Sequence, residues 1–81
     1  MVNTIKLKKR AKELGINQQD LADELGLKQS SVSLKLNNVR PMTLSECEAL
    51  AKLLRIPGDD LDEYFFMGYV IAMEEEEKLR S

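Results

Sequence analysis

Histidine and tryptophan are absent from this 81-residue chain, and cysteine occurs once. Without histidine the chain lacks the usual general base at neutral pH and the commonest metal ligand. A single cysteine rules out an internal disulfide and points to a reducing compartment. Long apolar runs are missing too. The longest, Tyr64 to Met73, spans ten residues, well short of the roughly 20 needed to cross a bilayer. The first residues mix polar and basic side chains without the apolar core of a signal peptide, so a cytoplasmic protein with no membrane partner is expected. Ser30, Ser31 and Ser33 have no imidazole to activate them, which argues against nucleophilic catalysis. Asp59, Asp60, Asp62 and Glu63 lack the glycine-bearing spacing of a calcium loop. No enzyme activity, catalytic residue, metal, cofactor or small-molecule ligand is therefore expected.

What is present is a globular composition, 43% hydrophobic and 32% charged, in a length that fits one small domain. Its net charge of −2 hides an asymmetry. Residues 1–45 carry eight basic and four acidic side chains, leaving +4, whereas residues 46–81 carry four basic and ten acidic ones, leaving −6. This is the pattern of a basic working face with an acidic far side.

Helical periodicity runs through the first 66 residues without competing strand alternation. Leu7, Ala11 and Leu14 mark a first helix from about Asn3 or Thr4 to Gly15. Asn17 and Asp20 are spaced as an N-cap pair opening a second helix, with Leu21, Ala22 and Leu25 inward and Gly26 as its stop. A third helix, about Gln29 to Leu36, buries Val32 and Leu36. "NNVRP" (Asn37 to Pro41) reads as a loop. Thr43 and Glu46 form a capping box for a fourth helix, whose stripe is Leu44, Cys47, Leu50, Ala51 and Leu54. On that stripe Cys47 reads as a small core residue. Asp59 is expected to cap a short fifth helix through Leu61, Tyr64 and Phe65. "FFMGYVIAM" followed by Glu74 to Glu77 is left as a short extended or helical tail. The expected organisation is an all-α, five-helix domain over residues 1–66 and a tail over 67–81.

Only Gly26, Leu27 and Lys28 separate the second and third helices, the short glycine-containing connection of a helix-turn-helix. With Val32 and Leu36 inward, the helical repeat puts Ser30 and Leu34 on the opposite side, beside Ser33 and Asn37. Leu34 is thus expected to be exposed, where it can meet a thymine methyl group, and Gln29 can pair with adenine through both ends of its amide.

Gln18, Leu21-Ala22, Leu25-Gly26-Leu27, Val32-Ser33, Leu36-Asn37, Arg40-Pro41 and "TLSECEALAKLL" together resemble the phage repressor and Cro-type (Xre-like) helix-turn-helix family, over about residues 4–66. Two positions depart from its pattern: Asn38 stands where the loop usually has glycine, and Lys28 where serine is common. The resemblance implies a compact lambda-repressor-like fold and a transcription regulator, repressor-like and phage-like, bound to a double-stranded DNA operator. It implies base contacts from Gln29, Ser30, Ser33 and Leu34, and backbone contacts from Gln18, Lys28, Lys35, Asn37 and Arg40. The lysines of the first helix are taken as solvated surface.

Modules of this size pair on two half-sites, so a homodimer is expected. Tyr64, Phe66, Met67, Tyr69, Val70, Ile71 and Met73 are the apolar residues available for its interface. The rival reading is a protein-interaction module of the same fold, antirepressor-like or antitoxin-like, without strong DNA affinity. The acidic total charge and the arginine-free third helix lean that way.

Overall fold

Local hydrogen-bond chemistry sets where the helices begin and end in the computed structural model, which describes residues 1–66. In order these are α1 (Thr4–Glu13), α2 (Gln18–Leu25), α3 (Gln29–Leu36), α4 (Leu44–Leu53), a 3₁₀ turn (Gly58–Asp60) and α5 (Leu61–Phe65). No strand occurs among the described residues, and the domain is all-α as expected. The tail, with Met67, Tyr69, Val70, Ile71 and Met73 of the expected dimer interface, lies outside the described residues.

Three helix starts are fixed by side chains that accept otherwise orphaned N–H groups. The Asn3 side chain accepts from Lys6 N–H at 3.1 Å. At α2, Asn17 and Asp20 bond reciprocally at 2.8 and 2.9 Å. At α4, Glu46 N–H donates to Thr43 Oγ1 at 3.2 Å and Thr43 N–H to Glu46 Oε1 at 2.9 Å. Each such cap stabilises its helix by about 1 kcal/mol. Lys28, preceding α3, supplies no side-chain cap.

Four helices end in one pattern, with a left-handed residue at the cap (α2) or just past it (α1, α3, α4) and a bond reaching back across the last turn. The left-handed residues are Gly15, Gly26, Asn38 and Arg55, with φ of 69, 66, 62 and 53°. The next N–H in each case returns to a carbonyl five residues earlier: Ile16 to Ala11 at 2.8 Å, Leu27 to Ala22 at 3.0 Å, Val39 to Leu34 at 2.9 Å and Ile56 to Ala51 at 2.9 Å.

The fifth helix starts differently from the sequence expectation. Asp59 does not cap it: Asp59 lies inside the 3₁₀ turn, and Asp60 holds the cap position without a side-chain bond. The turn itself consumes an N–H that an Asp59 cap would serve, Leu61 N–H donating to Gly58 C=O.

Leu7 and Ala11 of α1, Leu21 and Ala22 of α2, Val32 and Leu36 of α3, Cys47 and Leu50 of α4, then Leu54 and Phe65 make one buried core. Leu25 and Leu27 pack against it from around the α2–α3 turn. Ala22 is fully buried, and its lack of bulk lets α2 run close to α3 and α4. Val2, Met42 and Ile56 also join the core from outside the helices.

Long-range bonds then tie α1 to the later chain. Asn3 N–H donates to Tyr64 C=O at 2.7 Å, and Lys6 Nζ meets Glu63 Oε2 at 2.7 Å. Arg10 donates through Nε to Leu54 C=O at 2.9 Å and through Nη2 to Arg55 C=O at 3.3 Å, closing the C-terminal end of α4.

Candidate nucleic-acid interface

The site begins at Gly26, whose left-handed backbone lets α2 stop and α3 start after only Leu27 and Lys28. Leu21 and Val32 are buried together in the core, so the crossing of the two helices is held by packing and the outward face of α3 is left over. On that face Gln29 and Ser30 are exposed, and Ser33 is half-buried. Neither Gln29 nor Ser30 is engaged by another described side chain.

Leu34 differs from its expected place. It is half-buried rather than exposed, at the last turn of α3, where both Val39 and Arg40 N–H groups donate to the Leu34 carbonyl, at 2.9 and 3.3 Å. Its side chain is nonetheless absent from those packed against the core, so an apolar edge remains on the polar face.

Lys35 also stands apart from the other expected contacts. Its Nζ lies 2.6 and 2.8 Å from the two Glu46 carboxylate oxygens, with both side chains about 15% exposed. Lys35 lies about 60° around the helix from Val32, on the flank away from Ser33, and this aims it at α4. Burial alone would push the Glu46 carboxyl up; the Lys35 ammonium and the Thr43 N–H outweigh it and hold Glu46 below its ordinary 4.5. Lys35 therefore fastens α3 to α4 and is not a free flanking cation.

The remaining expected backbone contacts gather around the ends of α2 and α3. Lys28 is exposed at the start of α3, and Asn37 and Arg40 are exposed just past its end. Asn37 Nδ2 donates to Ser33 C=O at 2.9 Å, which steadies it against the helix. Gln18 lines a cleft of about 370 Å³ between α1 and the start of α2, with Lys8, Lys12 and Asn17 on its rim and Leu7, Leu21 and Leu36 among its floor residues. Lys8 also reaches Asn37 Oδ1 at 3.5 Å. Sequence reasoning treated the α1 cations as one solvated set, whereas the fold sorts them. Lys6 and Arg10 face α5 and the end of α4, and Lys8 and Lys12 face the cleft. The i, i+4 spacing of Lys8 and Lys12 beside Leu7 and Ala11 carried that signal.

Tyr64 and Phe66, the described members of the expected dimer interface, lie at the end of α5. Tyr64 is half-buried, with Lys6 Nζ 5.2 Å from its ring centre, and Phe66 is 42% exposed.

A helix-turn-helix family model matches residues 7–61, which include all of α2, the Gly26 turn, α3 and α4. The chain belongs to the Xre/Cro/C1-like helix-turn-helix family. Neither a curated protein nor a solved structure matches it. Membership makes this a DNA-binding domain of regulatory type, in a family that is generally non-enzymatic. Among the described residues no helix is long and apolar enough to cross a membrane.

Proposed function

We propose that this helix-turn-helix protein is a sequence-specific transcriptional regulator, Cro-like and repressing, that lays α3 in the major groove of a double-stranded operator and acts as a homodimer in the bacterial cytosol or nucleoid. One observation carries the reading: the outward face of α3 offers Gln29 and Ser30, exposed and not engaged by another described side chain, beside Ser33 and the apolar edge of Leu34. Gln29 supplies the paired donor and acceptor that adenine N7 and N6 require, and Leu34 suits a thymine methyl group. Ser33 adds an adaptable hydroxyl. Gln18, Lys28, Asn37 and Arg40 surround this face and meet phosphate oxygens, which fix register without reading sequence. Lys35 serves the same face indirectly, by holding α3 against α4.

Tyr64, Phe66 and the apolar residues Met67, Tyr69, Val70, Ile71 and Met73 form the two-fold contact that spaces two α3 helices about 34 Å apart. A chain ended after Phe66 then sediments as a monomer; a persistent dimer would remove the tail from the interface.

Selection from a random duplex pool, with a salt titration on the winner, tests the DNA reading. A palindromic winner weakened roughly tenfold by Gln29→Ala, which removes one bidentate pair, supports it. The second reading, a protein-interaction module, is favoured by the net charge of −2 and by an α3 without arginine. Absence of any enrichment at low salt would leave that reading in its place, because counterion release strengthens every DNA complex there.

A further inference from the structure

Asn38 shares its turn geometry with Gly15 and Gly26 but not their isolation. A side chain added at either glycine would meet nothing within 4 Å. The Asn38 side chain instead crosses to the N-terminal arm and grips both peptide groups of one residue. Val2 N–H donates to Asn38 Oδ1 at 2.7 Å, and Asn38 Nδ2 donates to Val2 C=O at 3.0 Å. The arm is itself anchored, since the Val2 side chain is buried in the core. Thr4 adds a second tie, its hydroxyl donating to the Leu36 carbonyl. A fixed arm thus holds the last turn of α3 and the residue after it.

The segment beyond Asn38 is not held by packing. Val39 is 67% exposed, and a hollow of about 230 Å³ lies between the loop and the arm, lined by residues that include Met1, Asn38, Arg40 and Met42. Between the end of α3 and buried Met42, the loop's placement depends on the bonds to Leu34 and on the Asn38 clamp. Asn37 and Arg40 flank that clamp.

We infer that Asn38 is a positioning residue of the DNA interface: by gripping Val2 it holds the Asn37–Arg40 loop where Arg40 meets the phosphate backbone. The inference rests on α3 being the helix that enters DNA. Asn38→Gly is the informative variant, because glycine adopts φ near 60° without strain and the turn survives while the clamp is lost.

Binding of the full chain to its selected duplex is measured across salt concentrations for wild type, Asn38→Gly, Arg40→Ala and the double variant. Asn38→Gly weakens binding several-fold and lowers the salt slope by about one, as expected for one lost phosphate contact. The base preference read by Gln29 stays unchanged, a combination that general destabilisation would not produce. On the Arg40→Ala background the added effect of Asn38→Gly vanishes. Equal loss on both backgrounds, or a salt slope unaltered by Asn38→Gly, overturns the positioning role while leaving the DNA reading intact. A wild type that binds no duplex overturns both. A melting curve confirms that the variant is folded; should it not fold, Asn38→Asp, which tolerates the left-handed turn and keeps the acceptor for Val2 N–H while losing the donor to Val2 C=O, replaces it in the same cycle.

Discussion

The ends of α1 and α2 and the ends of α3 and α4 use one hydrogen-bond pattern with different residues. The first two place glycine at the left-handed position, and the last two place Asn38 and Arg55 there. The glycine ends close their turns and make no tertiary bond to another described residue at that position. The other two ends are where the N-terminal part of the chain is fastened: Asn38 holds Val2, and the end of α4 receives Arg10. Yet the two fastenings differ in kind. At Asn38 the left-handed residue supplies the bonding side chain, whereas at Arg55 it supplies only its carbonyl oxygen. Its own side chain does none of the fastening, and a large residue there carries backbone strain without a compensating bond to another described residue.

Removing the donor at α4 is the strongest way to break the comparison. Arg10→Ala strands the part-buried Leu54 carbonyl and loses the Arg55 bond. It costs about 2–3 kcal/mol, a fall in Tm of roughly 10–20 °C for a domain this small, read by thermal melting. Arg10→Lys recovers only part, because an ammonium cannot reach two carbonyls with a planar fork. A loss no greater than that of an ordinary surface substitution would show that solvent caps α4 adequately.

A second tie lies on the other flank of α3, between Lys35 and Glu46, and it responds to acid. The Glu46 carboxyl is depressed in the folded state, so its contribution is present above the ordinary value of 4.5. It is lost as pH falls below that value through the folded one. Glu46→Gln is less stable than wild type at pH 7, and the difference shrinks in urea titrations stepped down through that window. A constant difference at every pH would assign the pair no role.

The smallest effects sharpen the comparison most, because they are opposite in sign for one kind of substitution. Asn38→Gly loses two part-buried hydrogen bonds and destabilises by about 1 kcal/mol. Arg55→Gly relieves a left-handed backbone at a position whose side chain bonds no other described residue and stabilises by about 0.5 kcal/mol. Urea midpoints that move in the same direction for both would dissolve the distinction between the two ends.

What the sequence made legible follows the same division. The capping pairs Asn17–Asp20 and Thr43–Glu46, the stop at Gly26 and the bounds of α3 all depend on bonds within a few residues. They are visible as spacings. The left-handed turn at Asn38 was legible too, since asparagine tolerates that conformation. Its clamp on Val2 was not, because 36 positions separate the partners. The destination of Arg10, 44 positions away, was hidden likewise. The Lys35–Glu46 pairing was hidden for a subtler reason: periodicity gives the angle of Lys35 on α3 but not that α4 passes beside that flank. Asp59 was misassigned because a 3₁₀ turn and a capped start share the same aspartate-rich signature. The outward face of α3 was legible as a pattern, apart from the half-burial of Leu34.

The ties of α1 have a consequence for how the protein is made. A chain emerging from the ribosome presents α1 first, yet every bond that fastens it waits for residues synthesised much later, the Lys6–Glu63 pair being 57 positions apart. The α2–α3 turn depends on near neighbours and can form early, whereas closure by such distant contacts comes late. A nascent or prematurely ended chain therefore carries α3 before the arm and α1 are seated beside it. Synthesis must reach Phe65, the last of the described residues in the buried core, before α3 is held in a fixed frame.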